Sequence, residues 1–153
     1  MKKKILGIVV GLLLMFVLTG CGSKTAITLE EFSSVAKEEG YSISDAMDQF
    51  VGIDYMKSAT VAITEDNYQV EFYELDDDTH ATAFFNNNKL RFEGLKGNAS
   101  LESSIDMGNY STYSLTSDGQ YMYLSRVDNT LVYVDVKEEF KDEVKELIDK
   151  LGY

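Results

Sequence analysis

Apolar positions recur along this chain with two periods, and the switches between them mark its elements. Thr28-Leu29-Glu30-Glu31 fits a capping box, with Thr28 as N-cap and Glu31 three residues on, and Ile27 with Phe32 fits a hydrophobic staple. Phe32, Val35 and Ala36 then share one helical face, and Gly40 is the natural stop. Tyr41 to Ile43 reads as a brief extended link, followed by a short helical piece that Ser44 caps, carrying Met47, Phe50 and Val51 and ended by Gly52. The period then changes to two. Thr60–Thr64 and Tyr68–Phe72 predict a hairpin turning at Glu65-Asp66-Asn67, with Tyr68, Val70 and Phe72 on one face.

Asp76 to Thr79 open a second helix, whose inner face reads Ala81, Phe84, Phe85, Asn88 and Phe92, and Gly94 or Gly97 ends it. A stretch rich in Ser, Asn and Gly reads as a polar loop up to Tyr110. Beyond it, Tyr110–Thr116, Gln120–Arg126 and Thr130–Val134 predict a meander, because Ser117-Asp118-Gly119 and Val127-Asp128-Asn129 carry hairpin-turn residues. Asp135-Val136-Lys137-Glu138 resembles a helix start, and Phe140, Val144, Leu147, Ile148 and Leu151 follow at helical spacing to Gly152. The order helix, hairpin, helix, meander, helix predicts an α+β fold, an antiparallel sheet of about five strands with the helices packed on one face.

Ahead of this domain, Lys2, Lys3 and Lys4 precede an uncharged apolar run of 14 residues from Ile5 to Leu18, and Leu18-Thr19-Gly20-Cys21 closes it. A basic start, an apolar middle and small residues before a cleavage point make a secretory signal. At about 1.5 Å per residue the run reaches about 21 Å, short of a hydrocarbon core about 30 Å thick, so an uncleaved spanning anchor is the weaker reading. The tetrad ending in Cys21 resembles the lipobox of bacterial lipoproteins. That resemblance implies a diacylglycerol thioether on Cys21 and removal of residues 1–20, leaving residues 21–27 as a short tether and 28–153 as a single acidic α+β domain. It places the protein on the extracytoplasmic side of the cell membrane, with the membrane as its first partner. The stretch from Tyr121 to Tyr153 is also similar to the ends of small lipoproteins of Gram-positive bacteria, which implies no activity.

Lipidation consumes the one cysteine of the chain and leaves no disulfide in the mature domain, whose fold then rests on its core alone. Removing residues 1–20 takes three of the 14 basic residues and none of the 26 acids, leaving 11 against 26 and a charge of −15. A nucleic-acid partner needs a basic footprint, so none is expected. Ten tyrosines and eight phenylalanines argue for a packed core rather than a solvated tail despite that charge.

Tyrosine concentrates in the meander. Strand alternation places Tyr121 and Tyr123 opposite Met122 and Leu124, and with the Met/Leu/Val face against the helices, Tyr121, Tyr123 and Tyr133 are expected to share a partly exposed face. Amphipathic rings with a hydroxyl handle suit a glycan or an envelope protein, although strand propensity alone also accounts for them. Asp76-Asp77-Asp78 with His80 lacks the spacing of a calcium loop and is explained by capping, so no metal is expected. Lys89, Arg91 and Lys96 fall where a helix C-terminus favours cations, and Arg126 reads as a partner for nearby carboxylates. One histidine next to three aspartates is not a Ser-His-Asp constellation, and the chain has no Gly-x-Ser-x-Gly elbow, His-Glu-x-x-His pair or glycine-rich phosphate loop after a strand. The sequence therefore predicts a non-catalytic binding module of the cell envelope without a cofactor. An envelope assembly or structural factor acting through a protein partner is the alternative, and a hydrolase of envelope polymers comes third.

Overall fold

The computed structural model describes residues 22–66 and 68–153. The signal segment and Cys21 lie outside the described residues, as does Asn67 of the expected turn. No helix among the described residues is long and apolar enough to cross a membrane.

Helix α1 (Leu29–Glu38) starts as its sequence dictates: the Thr28 N–H donates to Glu31 Oε2 at 2.7 Å and the Glu31 N–H to Thr28 Oγ1 at 3.2 Å. Strands β1 (Ser42–Asp45), β2 (Met56–Ile63) and β3 (Gln69–Leu75) form a first meander, with a short 3₁₀ turn at Met47–Phe50 between β1 and β2. Helix α2 (Asp78–Glu93) crosses to β4 (Ser100–Met107), which opens a second meander through β5 (Tyr110–Ser117), β6 (Gln120–Val127) and β7 (Thr130–Lys137). Helix α3 (Lys141–Leu151) closes the chain. All pairings are antiparallel, and the order β1-β2-β3-β7-β6-β5-β4 brings the last strand of the second meander against the last of the first.

This corrects the expected five-stranded sheet with helices on one face in two respects. The sheet has seven strands, because the link at Tyr41–Ile43 leads into β1 and the presumed polar loop contains β4. In β4, Leu101, Ile105 and Met107 alternate with Glu102, Ser104 and Asp106. This is strand periodicity, masked by the polar composition of a strand that lies at the sheet edge and is exposed along nearly its whole length. The helices also occupy both faces. Phe32 and Ala36 of α1 and Val144, Leu147, Ile148 and Leu151 of α3 pack with Val70, Phe72, Val132, Val134 and Val136. Ala81, Phe85 and Phe92 of α2 pack on the other side with Tyr73, Leu75, Leu131, Met122 and Leu124. Thr130–Val134 is buried at every position, the signature of a strand covered on both faces, and one layer of helices cannot supply that cover. Strand β7 also runs on to Lys137, so the stretch that resembled a helix start is strand.

Burial fixes what the last helix contributes. Leu147 is 1% exposed under α3, and emptying such a site costs about 2–5 kcal/mol. Leu147→Ala should lower stability by that amount in urea melts of residues 22–153. Lys145→Ala, on the outer side of the same helix, should stay within about 0.5 kcal/mol, and equal effects would place the buried face elsewhere.

Candidate functional site

The three meander tyrosines do not form one surface. Residues directly opposed in an antiparallel pair share a face, and Tyr123 opposes Val134 whereas Leu124 opposes Tyr133. Tyr121 and Tyr123 therefore lie on the α1/α3 face and Tyr133 on the α2 face, which corrects the expectation of a shared face. Tyr121 is buried, its ring 6.4 Å from that of Tyr123 and 5.1 Å from the Lys141 ammonium, and Tyr123 is half-buried. Tyr133 is 7% exposed, yet its hydroxyl reaches a cleft.

That cleft, of about 500 Å³, opens at the end of the sheet where β3 begins and β7 ends. Helix α2 stops short of this end and leaves the polar ends of the strands beneath it uncovered. Gln69 and Glu71 come from β3, Tyr133, Asp135 and Lys137 from β7 and Gln120 from β6. The register makes neighbours of them, because Glu71 opposes Tyr133 and Gln120 opposes Lys137. Arg91, in the last turn of α2, supplies the roof. Its Nη2 donates to Tyr133 Oη at 2.7 Å and lies 3.8 Å from Asp135 Oδ2. Phe92, one residue on, packs against the Tyr133 ring at 5.2 Å and holds the helix end in place. On the floor Tyr73 Oη and Gln69 Nε2 both donate to the Glu71 carboxylate, the latter at 2.6 Å. At the rim Tyr68 stacks on Phe140 with centroids 4.4 Å apart.

Two groups in the cleft are unspent. Among the described residues Asp135 has only the long contact with Arg91, and the Gln120 amide has no hydrogen-bond partner. Partial burial raises the Asp135 carboxyl above its ordinary range against the opposing pull of Arg91. Burial pushes the Tyr133 phenol up to about 12, again against Arg91. Arginine, carboxylate and amide on rigid strands can orient a polar ligand that both donates and accepts hydrogen bonds. Other depressions are poorer sites. The one between Asp142, Glu146 and Lys150 is lined by a single helix and has no opposing wall.

Arg91, Asp135 and Gln120 were missed as site residues. In the sequence Arg91 is fully explained as a cation at a helix end, and Asp135 falls in a stretch that resembles a helix start. Arg126 does not pair with a carboxylate. It is 7% exposed and donates to the carbonyl oxygens of Asn109 (3.4 Å) and Asp128 (3.1 Å) and to Ser111 Oγ (3.2 Å), so it braces two turns. Lys96 pairs with Glu102, and Lys89 lies over the Tyr113 ring at 5.3 Å. Asp76, Asp77 and His80 gather at the start of α2, where Asp77 accepts the His80 N–H at 2.8 Å as N-cap and Asp76 Oδ1 lies 2.7 Å from the His80 ring.

No protein-family model matches the chain, and no curated protein matches it in sequence. Among solved structures, a GTP binding regulator from Thermotoga maritima is similar at 22% identity and a TM-score of 0.44, over 82% of this chain and 88% of that one. A likeness that remote bears on neither the fold nor the site.

The raised phenol of Tyr133 has a measurable consequence. The unfolded chain releases this proton near pH 10, whereas the folded chain holds it up to about 12. Its contribution to stability is complete below about pH 10 and is lost as the pH rises toward the folded value. Tyr133→Phe should therefore flatten the alkaline decline in stability by up to about 1.4 kcal/mol per pH unit, one proton's worth. Urea melts between about pH 9 and pH 11.5 read it, and an unchanged slope would mean that Tyr133 titrates normally.

Proposed function

We propose that the protein is a membrane-anchored extracytoplasmic lipoprotein whose domain is a non-catalytic binding module of the cell envelope. The address is supported by Leu18-Thr19-Gly20-Cys21 at the end of a short apolar run behind three lysines. The binding role is carried by one observation: Asp135 and Gln120 present unspent hydrogen-bonding groups beside Arg91 in a cleft built on strands. A glycan segment fits that chemistry, since each hydroxyl donates and accepts, and the Tyr68–Phe140 stack at the rim offers an apolar platform for a sugar ring.

The second reading is an envelope assembly or structural factor working through a protein partner. Strand β4 favours it, as an eight-residue edge with Leu101 75% exposed and with no proline or lysine to block strand addition.

Two experiments separate these claims. Cys21→Ser should abolish lipid labelling and leave the signal unprocessed by the lipoprotein pathway, read from the intact mass of the membrane-extracted protein. A mature chain that begins elsewhere, or one with an unmodified Cys21, would sink the address. For binding, the wild-type protein is screened on a glycan array beside Asp135→Asn and Gln120→Ala. A hydrogen bond to a charged group contributes about 1.5–3 kcal/mol, so Asp135→Asn should weaken binding about tenfold or more, with a smaller loss for Gln120→Ala. Binding that survives both changes moves the ligand out of this cleft, and a protein captured through β4 instead favours the second reading.

A further inference from the structure

The chain that leads from Cys21 into α1 is tied down rather than loose. The Lys24 N–H donates to Asn109 Oδ1 at 3.1 Å, and Asn109 Nδ2 donates back to the Lys24 carbonyl at 2.7 Å and to Asp128 Oδ1 at 3.0 Å. One side chain thus clamps the strap to the β4–β5 and β6–β7 turns together. The Gly22 carbonyl presses so closely on Gly108 that a Cβ there would stand 2.7 Å from it, and Gly108 has φ +55°. Further on, the Ile27 N–H donates to Tyr153 Oη at 3.4 Å, and Ala26 and Ile27 pack on the α1/α3 core. The strap is fixed to one end of the sheet from Gly22 onward.

The ladder shows which end that is. Met107 opposes Tyr110, Val127 opposes Thr130 and Met56 opposes Leu75 at the strap end. Gln69 opposes Ile63 and Gln120 opposes Lys137 at the other, where the cleft opens. Strands of eight residues at about 3.3 Å each set the two ends roughly 25 Å apart.

We infer that the strap end rests against the lipid bilayer and that the cleft therefore faces away from it, toward a ligand in the aqueous envelope rather than a membrane lipid. The inference rests on the lipid proposed for Cys21. One peptide unit, about 3.8 Å between Cα atoms, joins that residue to the fixed Gly22, so only Cys21 and its thioether link separate the strap from the lipid. Tyr55, directly before Met56, and Met107 are exposed at this end, interspersed with Asp54 and Asp106. That mixture fits contact at the level of neutral headgroups and resists burial in hydrocarbon.

The test uses the mature lipidated protein, whose Cys21 thiol is consumed. Tyr55→Cys at the strap end and Leu95→Cys beyond the C-terminus of α2, both exposed, each carry a fluorophore and are reconstituted into phosphatidylcholine vesicles containing a nitroxide-headgroup lipid. The label at position 55 should be quenched several-fold more than the label at 95. Equal quenching, or the reverse order, in protein whose mass includes the lipid overturns the orientation and leaves the anchor standing. Protein that lacks the lipid and does not float with the vesicles overturns the anchor, and the orientation with it.

Discussion

Strand β7 is buried on both faces, and the rest of the molecule is arranged to satisfy that. Val132, Val134 and Val136 point to one side and Leu131 and Tyr133 to the other, with the whole of Thr130–Val134 excluded from solvent. An apolar strand of this kind needs a partner on each edge and a layer on each face. Its edges are taken by β3 and β6, which joins two meanders that would otherwise be separate hairpin sets. Its faces are taken by α1 with α3 and by α2. Phe32 stacked on Phe72 at 4.9 Å and Phe92 against Tyr133 at 5.2 Å are the aromatic contacts that seat the two layers.

The same constraint makes the cleft. Helix α2, of 16 residues, is about 24 Å long, and its start is fixed by the end of β3. Its last turn brings Arg91 over Tyr133 and then stops, so the strands continue uncovered beneath Asp135, Lys137 and Gln120. Polar residues are tolerated there because the strand has run out of helix above it. At the other end of the sheet the turns converge instead, and Arg126, Asn109 and Asp128 knit them to the incoming strap. The two ends thus differ in kind, one closed by hydrogen bonds and one open.

Much of the local structure was legible in the sequence. The capping box at Thr28, the helical face of α3 and the turns at Asp118-Gly119 and Asp128-Asn129 depend on residues a few positions apart, and local spacing reports them. Both residues of Asp118-Gly119 adopt positive φ, 50° and 78°, as a two-residue hairpin loop requires. The edge strands were harder. Strand β1 is four residues long, and β4 buries so little that its alternation carries almost no hydrophobic contrast. The tyrosines misled for a related reason. Alternation within β6 puts Tyr121 and Tyr123 on one face, but whether Tyr133 joins them depends on the register between strands, and a shift of one residue reverses it.

The sequence by itself determined what neighbouring residues decide: the capped start of α1, which residues alternate within β6, and the Leu-Thr-Gly-Cys tetrad ahead of an acidic domain. These follow from covalent neighbours, caps and short periods, all of which lie within a few residues. Tertiary structure alone decided that β7 sits between β3 and β6, that helices cover both faces, and that Arg91, Tyr133 and Asp135 meet. Those residues are 42 or more positions apart from helix to strand, and nothing in their own neighbourhoods distinguishes a helix-terminal arginine from the roof of a cleft. The pairing of distant strands is set by the joint requirement to bury both faces of one strand, which only the assembled chain can meet.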